Sequence, residues 1–199
     1  MSFRKEKKYR LSRSDMISVM GHLIESGMTR LHPARVVNSC YFDSIDNKMH
    51  FESEEGVVPR KKIRVRWYNN SNTFSKEIKI SSEEGRFKYT ESIPNIYTPC
   101  DLLGMTIFDG SYGTLSAIMT VSYEREYFLF NNLRITFDIN IKYKYLKLAT
   151  QPILNDKECV MEVKAPIDCD DDYIEKIIHQ TTSRFSKYSR GMLFVEHKI

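Results

Sequence analysis

Polar and apolar residues alternate most clearly in the segment Pro59–Tyr68, PRKKIRVRWY. At the two-residue period of a β-strand, one face carries four cations, Arg60, Lys62, Arg64 and Arg66. The other face carries Lys61, Ile63, Val65 and Trp67, of which Trp67 is expected to pack in the core. Taken alone, the pattern is typical of a solvated sheet face, and only cations from further strands on the same side would change that interpretation.

The same alternation, followed along the chain, predicts a succession of antiparallel hairpins with few helices. Strands are predicted at Phe3–Leu11, Val36–Phe42, Met49–Glu52, Pro59–Tyr68, Phe74–Ile80, Arg86–Ile93, 118–129, Leu133–Ile139 and Glu158–Ala165. Helices are predicted between Ser12 or Ser14 and Gly27, within Tyr97–Ser116 and at Tyr173–Thr181. Residues 140–157 are predicted to be irregular, and the tail 184–192 is short, basic and aromatic. The pattern favours the α+β class, with one domain over residues 1–199 and a large antiparallel sheet that is curled or closed.

Charge is divided unevenly along the chain. Residues 1–88 contain 18 Lys and Arg against 11 Asp and Glu, which gives +7. Residues 89–199 contain 12 against 15, which gives −3, so the net charge of +4 hides a basic first half. Such a bias indicates a polyanionic partner and leaves phosphate chains, nucleotides and nucleic acids open.

Several classes of protein are disfavoured by the sequence. The four cysteines are far apart and form no Cys-x-x-Cys motif, which argues against a structural zinc site. Cys40 and Cys159 lie in apolar strand patterns and are expected to be buried free thiols. The first residues, MSFRKEKKYRLS, do not resemble a signal peptide, and no apolar run reaches the roughly 18–20 residues of a membrane span. A reducing, cytoplasmic location is the resulting expectation.

The polar faces of the other predicted strands also carry cations. They comprise Glu6, Lys8 and Arg10; Glu77 and Lys79; Arg125; Arg134 and Asp138; Glu162 and Lys164. An ordinary sheet with one wet face, in which cations pair with carboxylates across strands, is the simplest interpretation. The excess of cations over acids favours instead a closed barrel with a cationic lumen, because guanidinium groups match the oxygens of a phosphate chain.

The carboxylates on these faces recur in a Glu-x-Lys spacing, at Glu6–Lys8, Glu77–Lys79 and Glu162–Lys164. A carboxylate beside phosphate-binding cations suits Mg²⁺ or Mn²⁺, which takes oxygen ligands from protein and phosphate together. Glu6 is interpreted either as a metal ligand or as a partner of Lys8. Glu77 is interpreted as a salt-bridge partner that orients Lys79 or an arginine. Asp138 is interpreted either as a support for a neighbouring group or as a turn acid.

Eight motifs, in order and with compatible spacing, make the chain resemble a known family. They are EKKYRLS at 6–12, SCYFDSID at 39–46, PRKKIRVRWYN at 59–69, EIK at 77–79, YERE at 123–126, LRITFDINI at 133–141, MEVK at 161–164 and RFSKYSRGM at 184–192. Together they resemble the triphosphate tunnel metalloenzymes, and RVRWY and RFSKYSRGM indicate the VTC (vacuolar transporter chaperone) polyphosphate polymerase branch. The resemblance spans almost the whole chain. It implies a closed antiparallel β-barrel, the triphosphate tunnel, with a few flanking helices.

The resemblance also implies roles for individual residues. It implies phosphate binding by Lys8, Arg64, Arg66, Lys79, Arg125 and Arg134, and contact with terminal phosphates by Ser186 and Lys187. Glu162 is the implied ligand of Mn²⁺ or Mg²⁺, and Glu6 is a second candidate. Further candidates for substrate binding are Arg10, Lys62 and Lys164. The candidates for a catalytic role are Arg64, Arg66, Lys79, Arg125, Glu162 and Lys187.

The implied reaction is transfer of the γ-phosphoryl group of ATP to the end of a polyphosphate chain, with ADP leaving. A hydrolase of tripolyphosphate or nucleoside triphosphates and a module that binds polyphosphate without turnover are the alternatives. Nucleic acid is a weaker candidate, because aromatic residues do not alternate with the basic ones in a stacking pattern. Eukaryotic relatives carry an SPX sensor domain before the barrel and membrane helices after it, and these 199 residues include neither. A separate membrane-protein partner, which would hold the protein peripherally at a membrane, is therefore a hypothesis.

Overall fold

The computed structural model describes residues 4–69, 71–147 and 152–196, and Phe3, where the first strand is predicted to begin, lies outside them. The strands are β1 (Arg4–Leu11), β2 (Thr29–Asp43), β3 (Arg60–Tyr68), β4 (Ser75–Ser82), β5 (Gly85–Ser92), β6 (Thr106–Asp109), β7 (Gly113–Phe130), β8 (Leu133–Tyr145), β9 (Ile153–Asn155) and β10 (Cys159–Pro166). The helices are α1 (Arg13–Glu25), α2 (Lys48–Glu55), α3 (Asp171–Ile177) and α4 (Lys187–Glu196), with a 3₁₀ helix at Pro99–Leu103. Antiparallel pairs join β1 to β10, β10 to β8, β2 to β3, β3 to β4, β4 to β5 and β6 to β7. The α+β class and the antiparallel sheet are confirmed.

The described residues form two compact units. The first contains the described residues up to Val36, together with Tyr123–Ile141 and Asn155–Phe185. The second contains Val37–Ser122, the described part of Lys142–Leu154 and the described residues from Ser186 onward. The strands β2, β7 and β8 each contribute residues to both units. One domain over residues 1–199 stays a prediction.

The first unit shows how directly the sequence sets helix α1. Ser12 is the N-cap, and its Oγ accepts a hydrogen bond from the Asp15 amide at 3.1 Å. Leu23 is fully buried on the apolar face, and Gly27, at φ 104°, follows the helix end as predicted. The core of this unit contains Tyr9, Leu11, Met16, Leu23, Met28, Phe128, Phe130, Leu133, Ile135, Phe137, Cys159, Met161, Val163, Ala165, Ile174 and Ile178.

The second unit has a separate core around the apolar face of β3. Its buried members are Cys40, Phe42, Met49, Ile63, Val65, Trp67, Phe74, Leu102, Ile107, Leu115 and Ala117. Trp67 is 7% exposed, and its ring centroid lies 5.5 Å from that of Phe74. The prediction that Trp67 packs in the core is therefore confirmed, and the four cations Arg60, Lys62, Arg64 and Arg66 are left for the opposite face.

The predicted strand Met49–Glu52 is wrong, because this segment lies in helix α2. The Asp43 carboxylate stabilises the helix N-terminus by accepting hydrogen bonds from the amides of Met49 at 2.9 Å and His50 at 3.0 Å. Gly56, at φ 78°, ends the helix in the left-handed conformation that glycine adopts without strain. The strand prediction failed because this cap comes from an acid six residues upstream.

Other differences concern the lengths and ends of elements. The helix predicted within Tyr97–Ser116 is reduced to the 3₁₀ turn, and β6 follows it. The interval 140–157, predicted to be irregular, contains the end of β8 and all of β9. The predicted helix Tyr173–Thr181 is α3, which begins at Asp171 and ends at Ile177. Helix α4 occupies most of the tail, where no helix was predicted.

The thiols follow the sequence prediction. Cys40 and Cys159 are buried and free, whereas Cys100 is exposed. Burial raises the pKa of the Cys40 thiol to about 12, so this thiol stays protonated and unreactive at neutral pH. Within the described ranges, no helix is long and apolar enough to cross a membrane.

Helix α4 packs closely against β7 and β8 in the second unit. The contact is made at Gly191, where a Cβ atom would lie 2.6 Å from Cδ1 of Tyr143 and would also meet the Met119 side chain. One turn later, the Phe194 ring lies 5.6 Å from that of Tyr143. The lack of a side chain at position 191 therefore fixes how near α4 comes to the sheet.

Substitution of Gly191 by Ala is expected to destabilise the protein by about 1–3 kcal/mol, because the new methyl group overlaps Met119 and Tyr143. Gly21→Ala is the matched control, since nothing lies within 4 Å of a Cβ atom at this position inside α1. The control should leave stability unchanged or raise it by up to about 1 kcal/mol through helix propensity. Urea denaturation measures both, and equal stability of the two variants would contradict the close approach of α4.

Candidate functional site

Three neighbouring strands of the first unit place polar side chains on one face. The register sets Lys8 of β1 opposite Glu162 of β10, and Glu162 opposite Thr136 of β8. Two residues along the strands, Glu6 lies opposite Lys164. These side chains point to the same side of the sheet, because orientation alternates along each strand. The Glu162 cluster is defined as Glu6, Lys8, Thr136, Glu162 and Lys164.

Glu162 is the buried charged residue of this cluster. Glu162 is 8% exposed, and its Oε1 lies 3.0 Å from Nζ of Lys164. Lys8 Nζ donates a hydrogen bond to the Phe185 carbonyl at 3.1 Å, and the Lys8 carbonyl accepts one from the Ser183 amide at 2.8 Å. These two bonds hold residues 183–185 beside β1.

The charge of Glu162 is set by competing effects. Burial raises the pKa of its carboxyl group, whereas the charges of Lys164 and Arg125 lower it. A hydrogen bond with Glu6 and the charge of Lys8 act in the same direction as those two cations. The resulting pKa lies well below the ordinary glutamate value. Glu162 is therefore ionised at neutral pH, with Lys8, Lys164 and Arg125 as the cations that favour its charged form.

Arg125 is held in place by Asp138. Arg125 Nε and Nη2 donate to the two carboxylate oxygens of Asp138 at 2.6 and 2.7 Å, in the forked geometry typical of strong Arg–carboxylate pairs. Asp138 is fully buried, and its charge raises the pKa of Arg125 well above its ordinary value despite the burial of the guanidinium. Of the two interpretations of Asp138, the structure selects support of a neighbouring side chain.

The donors in the Glu162 cluster fit a hard divalent cation. Glu162 and Glu6 are diagonal neighbours on one face of β10 and β1 and offer carboxyl oxygens, the ligand type that Mg²⁺ and Mn²⁺ prefer. No group of three or more His, Cys, Asp or Glu side chains arranged for a metal occurs within residues 4–69, 71–147 and 152–196. An ion bound here would therefore take its remaining ligands from phosphate and water oxygens, as Mg²⁺ commonly does.

The second unit contains a separate charged group around Glu77. This residue is 3% exposed and lies opposite Arg64 in the register of β3 and β4. Its Oε2 accepts from Arg64 Nε at 2.8 Å and Nη2 at 2.6 Å. Its Oε1 accepts from Lys88 at 2.7 Å and lies 3.2 Å from Nη1 of Arg66. The Glu77 cluster is defined as Arg64, Arg66, Glu77 and Lys88.

Glu77 thus serves as the shared anion of three cations. Burial raises its pKa, but the charge of Arg64 and the hydrogen bond from Lys88 lower it more, so the carboxyl group is ionised. The interpretation of Glu77 as a partner that orients an arginine is confirmed. Within the described part of the chain, Arg66 Nε is buried without a hydrogen-bond partner. Because the Glu77 cluster contains one carboxylate and three cations, it has a surplus of positive charge. The Nε–H group of Arg66 is a donor that a ligand could use.

A row of lysines crosses the same three strands of the second unit. Lys62 of β3 lies opposite Lys79 of β4, and Lys79 lies opposite Lys88 of β5. Like charges directly opposite one another are unfavourable in a sheet unless an anion compensates them. Lys88 was not selected from the sequence, although the signal was available: a two-residue turn after Ser82 places Lys88 opposite Lys79.

The remaining sequence candidates lie in varied surroundings. Arg10 is paired with Glu158 at 2.8 Å and is largely exposed, and Arg134 is exposed on β8, opposite Lys164. In the second unit, Lys62 Nζ donates to Ser186 Oγ at 2.8 Å. Lys187 is the first residue of α4. Their roles in binding substrate stay predictions.

Glu77→Gln should lower the free energy of unfolding by about 3–5 kcal/mol, because it removes the anion that Arg64, Arg66 and Lys88 share in a buried site. Glu91→Gln is the control, since Glu91 forms a surface pair with Lys76 and its side chain is 64% exposed. Its loss should stay below about 1 kcal/mol. Urea denaturation compares the two variants, and losses of equal size would show that Glu77 is not the central anion.

The lowered pKa of Glu162 predicts how stability depends on pH. The ionised carboxylate stabilises the folded protein above the ordinary glutamate pKa of 4.5, and this contribution is lost as the pH falls below that value. Wild-type protein should therefore lose more stability than Glu162→Gln between about pH 5 and about pH 3. Thermal denaturation across this range measures the difference, with Glu175→Gln, whose side chain is 64% exposed, as the control. Parallel pH profiles of the wild type and Glu162→Gln would contradict the prediction.

Comparison with known structures places the fold among a group of small proteins. A candidate adenylate cyclase from Bacillus halodurans superposes with a TM-score of 0.62 at 13% identity, covering 93% of this chain and 94% of that one. A candidate adenylate cyclase from Vibrio parahaemolyticus gives a TM-score of 0.55 at 14% identity, with coverage of 96% and 98%. A candidate adenylyl cyclase from Hippeastrum, described as having a dominant triphosphatase activity, gives 0.56 at 13% identity, with coverage of 99% and 97%. At these identities the likeness concerns the fold alone.

Comparison with family models and curated sequences gives a different kind of result. No curated protein matches the chain. The model of the VTC domain matches residues 3–98 and 107–196, which together make up most of the sequence. This match agrees with the family resemblance of the eight sequence motifs. The chain therefore belongs to the VTC domain family.

Proposed function

We propose that this protein is a metal-dependent polyphosphate polymerase, which transfers the γ-phosphoryl group of ATP to the end of a polyphosphate chain in a closed triphosphate tunnel. The observation that carries the proposal is the buried, ionised Glu162 with Lys8, Lys164 and Arg125 around it. The phosphate oxygens of ATP would bind to these cations and to a metal ion held by the carboxylate. Membership of the VTC domain family supports the same substrate class.

The guanidinium groups are suited to bind phosphate oxygens. Arg125 is fixed by its two bonds to Asp138, so little conformational entropy is lost when its remaining N–H groups bind an anion. Arg64 and Arg66 are held by Glu77 in the second unit, and Arg66 Nε is a buried donor that a phosphate oxygen would satisfy. The family resemblance assigns Ser186 and Lys187 to the terminal phosphates.

Glu162, with Glu6 as a second carboxylate, would hold the Mn²⁺ or Mg²⁺ ion. Bound there, the ion would neutralise charge on the phosphate oxygens and so lower the cost of bringing them together. Lys8 and Lys164 would neutralise further charge beside it, and Arg125 would orient the phosphoryl group. Phosphoryl transfer depends mainly on positioning and charge neutralisation. No side chain is assigned as a general base, because the attacking oxygen of a polyphosphate end is already anionic.

A hydrolase is the second candidate function. The observation that favours it is the shared fold of the Hippeastrum protein, which is described as having a dominant triphosphatase activity. Water and a polyphosphate end are alternative acceptors for the same phosphoryl group, so the residues that activate the donor would serve both reactions. The polymerase requires in addition that the acceptor chain be held, and the arginines of the Glu77 cluster are suited to that task.

The test is incubation of the purified protein with ATP and Mn²⁺, with and without a short polyphosphate primer, followed by ³¹P NMR. Growth of the signal from internal phosphates together with ADP is expected. Glu162→Gln should reduce the rate at least about a hundredfold, because it removes the charge that places the metal. Glu175→Gln, the same change at an exposed site, should keep the wild-type rate.

Three outcomes of this experiment separate the candidate functions. Chain growth that is lost in Glu162→Gln supports the polymerase. Release of orthophosphate without chain growth overturns the polymerase and supports the hydrolase. Tight binding of polyphosphate without turnover, under Mn²⁺ and under Mg²⁺, overturns both enzymes and leaves a binding module.

The proposal has a consequence for location. We propose a cytoplasmic location for this protein, with a separate membrane-protein partner that would hold it at a membrane and pass a polyphosphate product across the bilayer. Co-purification with membranes, lost after removal of integral membrane proteins, is the expected result. Full activity in a pool that never sediments with membranes would overturn this partner.

A further inference from the structure

Tyr41 lies between a phosphate-binding candidate and helix α4 in the second unit. On one side, Arg64 Nη1 donates a hydrogen bond to the Tyr41 hydroxyl at 3.2 Å, and the guanidinium carbon lies 5.9 Å from the centroid of the tyrosine ring. On the other side, the ring of Tyr188 stacks on that of Tyr41, with centroids 4.9 Å apart and planes inclined by 14°. The order of contacts is therefore Arg64, Tyr41, Tyr188.

Tyr188 is in turn fixed by Asp43. The Tyr188 hydroxyl donates to Oδ2 of Asp43 at 2.6 Å, and both residues are almost fully buried. Asp43 itself is immobilised, because it also accepts amide hydrogen bonds from Met49 and His50 at the start of α2. The acid that caps α2 therefore also anchors the first turn of α4. This double use explains why a charged residue can lie in the core of the unit.

The anchored turn carries two further candidates for phosphate binding. Ser186 and Lys187 directly precede Tyr188, and Lys187 begins α4. The Arg190 amide donates to the Ser186 carbonyl at 2.9 Å, so Ser186 is joined to the first turn of the helix. In the middle of the helix, Gly191 allows the close approach to Met119 and Tyr143. A shift of Tyr188 would thus move Ser186 and Lys187 with it.

We propose that Tyr41 and Tyr188 are positioning residues, which keep Arg64 and the Ser186–Lys187 turn in one fixed arrangement for binding a phosphate chain. This inference rests on the proposed function, because it assumes that these groups bind phosphate. Neither tyrosine needs to touch the substrate. A ring that packs on both sides and a hydroxyl that is hydrogen bonded allow few rotamers, so the cationic groups are ordered before the ligand arrives.

The Tyr188 hydroxyl that donates to Asp43 does not titrate in the physiological pH range. Burial raises the pKa of the Tyr188 hydroxyl, and the neighbouring negative charge of Asp43 raises it further, to well above the ordinary tyrosine value. The hydroxyl therefore stays protonated and remains a donor. The protonation of this hydroxyl does not change near neutrality, which suits a structural support and not a switch.

The test measures binding of tripolyphosphate by isothermal titration calorimetry in the absence of ATP, together with thermal stability. Tyr188→Phe keeps the stacked ring and removes the hydroxyl, and Tyr41→Phe removes the hydroxyl that accepts from Arg64. Each is expected to weaken binding about tenfold, the order of effect of losing one hydrogen bond to a charged group. Tyr97→Phe, the same change at a side chain that is 67% exposed, is the control and should bind like the wild type.

A double-mutant cycle distinguishes positioning from general loss of stability. Arg64→Lys removes the guanidinium that contacts Tyr41, so Tyr41→Phe should weaken binding much less in that background than in the wild type. Tyr41→Phe that binds like the wild type, or additive effects in the cycle, would overturn the positioning role. If Tyr188→Phe does not fold, Tyr41→Phe alone decides. A wild-type protein that binds no tripolyphosphate would instead overturn the proposed function, and the positioning role with it.

Discussion

In the second unit, cations on one face of β3 repel one another, and the buried carboxylate of Glu77 reduces this repulsion. The polar face of β3 carries positive charges at every second residue, and further lysines lie opposite on β4 and β5. A buried carboxylate placed between Arg64, Arg66 and Lys88 compensates much of that charge. It also turns the guanidinium groups into fixed features of the sheet. The remaining surplus of positive charge is then available to a ligand, because no second buried carboxylate opposes it among the described residues of this cluster.

The Glu162 cluster also places a buried carboxylate among cations. Here the carboxylate lies among lysines and Arg125, and Arg125 already has its own partner in Asp138. The acid that orients the arginine is therefore not the acid that is suited to a metal. Separation of these two tasks leaves Glu162 ionised and oriented towards a polar face of the sheet. Such an arrangement is expected where phosphate oxygens complete the coordination of a divalent ion that a carboxylate holds.

Alternation and capping patterns in the sequence predicted those elements whose structure depends mainly on their own residues. The alternation in Pro59–Tyr68 predicted both faces of β3, and Ser12 was one of the two serines predicted to begin α1. The role of Glu77 followed from its place on a basic face. Two of the failures depend on contacts that lie outside the pattern of the segment itself. Asp43 converts Met49–Glu52 into a helix, and the close packing at Gly191 makes a helix of the tail.

Asp43 also shows why a family motif carries more information than its residue types suggest. As one acid in SCYFDSID it offers no clue from alternation or charge, and it was not a candidate for the site. In the folded chain it caps α2 and binds Tyr188, and Tyr188 stacks on the tyrosine that contacts Arg64. Replacement of such an acid would disturb phosphate-binding candidates that it never touches. A fold can be shared at 13% identity, whereas the chemistry of a site depends on supports of this kind as well as on the groups that meet the substrate.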